Sequence, residues 1–129
     1  MGKKLGILGG MGPLATAYLF KMIVTLTEAS SDQEHLHIVI DNNTSIPDRT
    51  SYIMGQGEDP RKYLIESAKG LEKMGAEFWI MPCNTAHFFY DDMVKEIDIT
   101  LLNIVDETTK LRLDSYSNIK KSVLFVSFW

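Results

Sequence analysis

The chain has 129 residues, of which 45% are apolar and 23% charged, and its net charge is −4. This is the make-up of one globular domain able to bury a core without cross-links, and its mild acidity excludes the basic face of a nucleic-acid binder. A single cysteine excludes an internal disulfide and a cysteine-built metal centre, and no run approaches the ~20 apolar residues of a membrane span or the apolar core of a signal peptide, so a cytoplasmic protein with no membrane partner is expected.

Residues 5–8 form a short apolar run closed by Gly9-Gly10, which reads as a buried strand. Pro13 opens a helix that extends to about residue 29, with Leu14, Ala17, Tyr18, Lys21, Met22, Thr25 and Leu26 at helical spacing as its mostly apolar face. The run 37–40 is a second strand. A polar loop follows over 41–59, with a short helix at 49–54; loops of this length inside a compact domain are usually functional. Asp59 and Pro60 start the next helix, and Gly75 stops it. Residues 77–81 form a third strand, 85–97 a helix, 100–104 a fourth strand, 105–115 a helix and 122–128 a fifth strand. Such alternation implies a doubly wound, mostly parallel α/β sheet of flavodoxin-like type, read as a single domain over 1–129. Right-handed crossovers then gather the strand-to-helix loops at one edge of the sheet, where ligands bind.

Three motifs fall on that edge. Gly9-Gly10-Met11-Gly12-Pro13 permits a sharp turn and a close backbone approach to a ligand. It also matches the G-x-G-x-x-A form of the dinucleotide fingerprint, with Asp41 in the ribose-binding role but farther away than is usual. Pro82-Cys83-Asn84-Thr85-Ala86-His87 sets a thiol between a strand and a helix, where a helix dipole favours thiolate. Asn84 and Thr85 can cap that helix while donating to a carboxylate. His87, four residues beyond the cysteine, is either a proton partner or an ordinary helix residue, and the second reading is favoured. In Ile46-Pro47-Asp48-Arg49-Thr50, Arg49 is a bidentate anchor for a carboxylate, or a solvated loop arginine. His35 and His37 alternate in a strand without the neighbours that a metal site needs, so no metal is expected. Phe88-Phe89-Tyr90 reads as core.

GILGGMGP, IPDRT followed by GQGEDP, and MPCNTAH occur together in that order. The set resembles the aspartate/glutamate racemase superfamily, its aspartate racemase branch in particular, over residues 1 to about 121. The resemblance implies two similar α/β domains facing each other across a cleft, often in a dimer, each supplying one cysteine. One thiolate removes the substrate α-proton and the other thiol returns a proton from the opposite face, with no cofactor. Carried over, Cys83 is the first acid/base, Asn84 and Thr85 bind the substrate carboxylate, Arg49 anchors a side-chain carboxylate and Met11 lines the cleft; Gln56 is a weaker binding candidate. The implied ligand is a small amino acid of the aspartate or glutamate kind, and the implied assembly a homo-oligomer.

The chain departs from this pattern in having no second cysteine. Residues 122–129 also fit the family poorly, which points to a truncation or a frameshift. The expectation is half of a two-cysteine site, inactive alone as a racemase. Three other readings compete with it: a carboxylate-binding module without catalysis, a nucleotide-binding domain built on Gly10 and Gly12, and a fragment without function.

Overall fold

The computed structural model describes residues 2–115, and the expected fifth strand lies outside them. The first strand, β1 (Leu5–Gly9), is buried along its whole length. It is followed by α1 (Pro13–Leu26) and, after a single 3-10 turn at Asp32–Glu34, by β2 (Ile38–Asn42). Next come α2 (Arg49–Ile53), α3 (Arg61–Lys73) and β3 (Phe78–Ile80). A 3-10 helix at Thr85–Phe89 runs into α4 (Tyr90–Val94), and β4 (Thr100–Leu102) and α5 (Ile104–Ser115) complete the described chain.

The strands form one sheet in the order β2-β1-β3-β4, and every pairing is parallel. The crossover through α1 therefore steps one way across the sheet, whereas those through α3 and α4 step the other way. Right-handed crossovers then put α1 on one face and α3 and α4 on the other. The packing agrees: α3 lies on β1 and β2 and touches α4, and α1 packs on β1. The fold class is the doubly wound, parallel α/β architecture that the alternation implies.

Local chemistry sets the element ends. Pro13 occupies the first turn of α1, where its missing N–H is no loss. The helix stops at Leu26, three residues short of expectation, because Thr27 turns extended and its hydroxyl donates to the Ile23 carbonyl (2.6 Å). Asp48 caps α2, accepting from the Ser51 amide (2.8 Å). Gly75 has φ of +92°, the left-handed turn expected after α3. Asn103 caps α5 by accepting from the Val105 (3.0 Å) and Asp106 (3.1 Å) amides. The second strand starts one residue later than expected and ends two residues later, so Asp41 is part of it, and His35 and His37 precede it.

The core sits between β1, β3, α3 and α4, where Leu8, Leu64, Leu71, Trp79, Met81, Phe89 and Met93 are buried. Of the aromatic triplet only Phe89 is fully buried; Phe88 is exposed. Helix α1 adds little, since Thr16 is its one fully buried residue. The apolar stripe read from its sequence points outward: Leu14, Tyr18, Met22 and Leu26 are all exposed.

Candidate functional site

The crossovers diverge on either side of β1, so the crevice beyond the carboxyl ends of β1 and β3 is the topological switch point. A cavity of about 330 Å³ opens there. Met11, Gly12 and Ala15 line it from the β1–α1 connection, Asp48, Arg49 and Thr50 from the start of α2, and Pro82, Cys83, Asn84 and Thr85 from the turn after β3. Five of the six expected site residues (Met11, Arg49, Cys83, Asn84 and Thr85) thus share one wall system. The sixth, Gln56, is exposed and does not line the cavity; its amide donates to the Ser51 carbonyl (2.8 Å).

The glycine turn is held from inside. The Gly10 amide donates to Thr16 Oγ1 (3.0 Å), which donates to the Gly12 carbonyl (3.2 Å). Gly10 has φ of +94°, and a Cβ there would strike the backbone of Asn43. The close approach this glycine permits is therefore taken by Asn43 rather than by a ligand phosphate. Asn43 is fixed in turn: its amide donates to Gly9 O (3.1 Å) and its side-chain amide to Ser67 Oγ on α3 (2.8 Å).

Arg49 is held by its own loop. Its Nη1 donates to the Ile46 (3.3 Å) and Pro47 (3.1 Å) carbonyls. Its Nε is buried and has no partner among the described residues. Such an orphaned donor is uncommon and costs free energy unless an acceptor arrives. The Ser51 hydroxyl and amide hold the neighbouring Asp48 carboxyl below its ordinary value of 3.8, so that its charge is engaged at the helix cap.

Cys83 is almost fully buried and meets the cavity. The expected helix over 85–97 is instead a five-residue 3-10 helix followed by a short α4. The physical reason lies in His87. In an α-helix the Cys83 carbonyl would accept the amide of residue 87. Here it pairs with Nδ1 of the His87 ring (2.8 Å), and the His87 amide donates to Asn84 O instead (3.1 Å). So short a 3-10 segment offers little of the helix dipole expected beside the thiol. Asn84 begins the segment without a side-chain capping bond, which leaves its amide group for other partners.

The partners of His87 assign its tautomer. The Ile104 amide donates to Nε2 (3.2 Å), so Nε2 carries the lone pair, and Nδ1 carries the proton that it donates to Cys83 O. The neutral ring bridges the cysteine turn to the start of α5. Burial pushes its pKa below the ordinary 6.5. The unfolded chain therefore binds the proton more readily, so the stability from this bridge is fully present above about pH 6.5 and is lost as pH falls through the depressed folded value. Urea midpoints measured from pH 7.5 down to 5 should fall, and the fall should be shallower in His87→Asn. Equal slopes in both proteins would assign the acid sensitivity elsewhere.

Among the described residues no group of three or more histidine, cysteine or acidic side chains is placed to hold a metal ion, and no helix is long and apolar enough to cross a membrane. A thiol, a half-buried guanidinium and uncapped turn groups around a cavity at the switch point give this parallel α/β domain the make-up of a small-molecule site.

The chain belongs to the Asp/Glu/hydantoin racemase family, whose model matches residues 8–118. It is 33% identical over 113 residues to the broad specificity amino-acid racemase RacX of Bacillus subtilis (strain 168), covering 82% of this chain and 48% of that protein. Its fold is similar to that of the Picrophilus torridus aspartate racemase, with a TM-score of 0.83 and 35% identity over 89% of this chain and 49% of that one. An aspartate racemase homologue from Pyrococcus horikoshii OT3 superposes with a TM-score of 0.73 at 26% identity, over 89% of this chain and 50% of the other. The chain spans about half the length of the relatives it matches.

Proposed function

We propose that this chain carries one half of a cofactor-independent amino-acid racemase site, in which Cys83 is the acid/base at Cα and a second thiol is needed for inversion. The observation that supports this reading most directly is the convergence of Cys83, Arg49, Asn84 and Thr85 on one cavity. The Cys83 thiolate takes the α-proton and becomes a thiol. The electron pair left on Cα delocalises into the substrate carboxylate, which Asn84 and Thr85 stabilise as donors. The unpaired Nε of Arg49 suits a second, side-chain carboxylate, which makes aspartate and glutamate the substrates of choice. A base on one face can return a proton only to that face, and the chain has no other cysteine. Alone, therefore, it exchanges the α-proton but does not invert the centre.

Proton NMR in D₂O with L- and D-aspartate and glutamate tests this. Loss of the α-proton signal with retained configuration is expected; inversion at turnover would refute the half-site. A homo-oligomer in the cytoplasm is the setting that goes with this reading. Arg49→Lys, which keeps the charge but loses the planar fork, should weaken aspartate binding by roughly 10- to 100-fold, as expected for loss of charge-assisted hydrogen bonds. Isothermal titration would measure it, and an unchanged affinity would remove Arg49 from the ligand contacts.

A further inference from the structure

We propose that His87 is the positioning residue of this site: by holding the Cys83 carbonyl, its ring turns the thiol and the groups of Asn84 and Thr85 toward the cavity. This role rests on the reading of Cys83 as the acid/base, and it falls to a side chain that does not itself line the cavity. The backbone at a residue decides where its side chain leaves the chain, and at Cys83 both backbone polar groups are held. The amide donates to the Met81 carbonyl (2.9 Å), which closes the tight turn at Pro82. The carbonyl accepts from Nδ1 of His87 (2.8 Å). With both fixed, the thiol keeps only the rotation about its Cα–Cβ bond, which falls into three staggered wells. The His87 amide also holds the Asn84 carbonyl (3.1 Å), so one residue anchors 83 and 84 together.

Of the two bonds at Cys83, only the one from His87 comes from a side chain, so it is the one that a substitution can remove. Without the ring, the Cys83 carbonyl is free to take the amide of residue 87 and the segment to wind into an α-helix. An α-helix turns about 100° per residue and a 3-10 helix about 120°, so rewinding rotates Thr85 against Cys83 by tens of degrees. The ring is held from its far side as well. At the start of α5, Asn103 accepts from the Val105 (3.0 Å) and Asp106 (3.1 Å) amides. The Ile104 amide is left over, and His87 Nε2 accepts from it (3.2 Å). A donor facing Nε2 keeps the ring proton on Nδ1, the tautomer able to hold Cys83. The thiol is thus aimed through an imidazole anchored on the first amide of α5.

Two substitutions divide the ring. In His87→Asn the side-chain nitrogen stands where Nδ1 stands and still donates to Cys83 O, but nothing reaches Ile104. In His87→Gln the amide oxygen lies one bond farther out and still accepts from Ile104, but no donor remains for Cys83 O. Each loses one bond, so both should be destabilised to a similar degree in urea, whereas only His87→Gln should disturb the thiol. Cys83 is the one cysteine of the chain, so alkylation by iodoacetamide reports on it alone. Alkylation of the folded full chain should slow severalfold in His87→Gln and hold near the original rate in His87→Asn, with all three proteins equal in denaturing urea. Exchange of the aspartate α-proton in D₂O should fall on the order of 10²-fold in His87→Gln, the cost of misplacing a reacting group by about 1 Å, and be largely kept in His87→Asn. Equal rates in the two variants, or faster alkylation in His87→Gln, would overturn the proposal, because the ring would then only hold the turn shut. An unmodified chain that exchanges no α-proton would refute the half-site itself, and the alkylation rates would still decide the role of His87. Should His87→Gln fail to fold, nitrogen NMR of the unmodified ring decides: a proton on Nδ1 and a bare Nε2 are expected, and the opposite tautomer would remove the bond to Cys83 and overturn the proposal.

Discussion

Cys83→Ala is expected to abolish deuterium uptake at Cα of aspartate and glutamate, a loss on the order of 10²–10⁴-fold, the usual contribution of a positioned general base. The thiol is the group in the cavity best suited to the task. Arg49 presents only N–H donors, and the Asp48 carboxyl is committed to the α2 cap by Ser51. His87, the other candidate base, has both ring nitrogens occupied, one by Cys83 O and one by the Ile104 amide. A serine at 83 should restore little, because a hydroxyl is a far weaker acid than a thiol and leaves no useful fraction ionised. Thermal unfolding of the variant separates chemistry from folding, since trimming a small, almost buried side chain should lower stability by only about 1 kcal/mol. Exchange that persists in Cys83→Ala would assign the base elsewhere and reduce the thiol to packing.

Gly10→Ala is expected to be among the most damaging single substitutions in the described chain, costing roughly 3 kcal/mol or more in urea unfolding. Two penalties add. At φ of +94° an L side chain is strained, and the new Cβ would meet backbone rather than a movable side-chain tip. To relieve the contact, Asn43 must withdraw and release its bonds to Gly9 and Ser67. Gly70 is the control. It lies within α3 and a Cβ there would meet nothing within 4 Å, so Gly70→Ala should stabilise by about 0.5–1 kcal/mol. A mild effect at Gly10 would mean that the two loops are not interlocked as their geometry implies.

Much of this architecture is legible in the sequence because it follows from local chemistry. Pro13 at a helix start, Asp48 before α2, Gly75 after α3 and the strand-helix alternation are each readable from neighbouring residues, and the alternation leads to the parallel sheet. The convergence of Met11, Arg49, Cys83, Asn84 and Thr85 was legible by a different route. Each sits in or at the end of a connection that follows a strand, and parallel topology brings such connections together. Where reading fails, the deciding partner is distant in sequence or absent from it. Periodicity found an apolar face on α1 but could not tell which side of the helix the sheet takes. The break of 85–97 into a 3-10 turn depends on the His87 ring displacing a backbone bond, and Ile104, seventeen positions away, fixes that ring. The four-residue spacing of Cys83 and His87 was the available signal, and it fitted an ordinary helix equally well. Gln56 was carried over by motif alone, and its segment turns to solvent.

The loop that carries Arg49 has a consequence for how a ligand is met. Asn43 clamps its beginning to β1 and α3. Near its end, Asp59 takes the Arg61 guanidinium, which also donates to Tyr52 OH at 3.0 Å. The arginine head is propped on carbonyls of the same loop. A segment tethered at both ends and in the middle has little freedom left to surrender, so a ligand that arrives there loses little affinity to the ordering of protein. On the proposed reading, recognition on this side is a rigid receptor's work, and any enclosing movement falls to whatever faces the cavity from across the crevice.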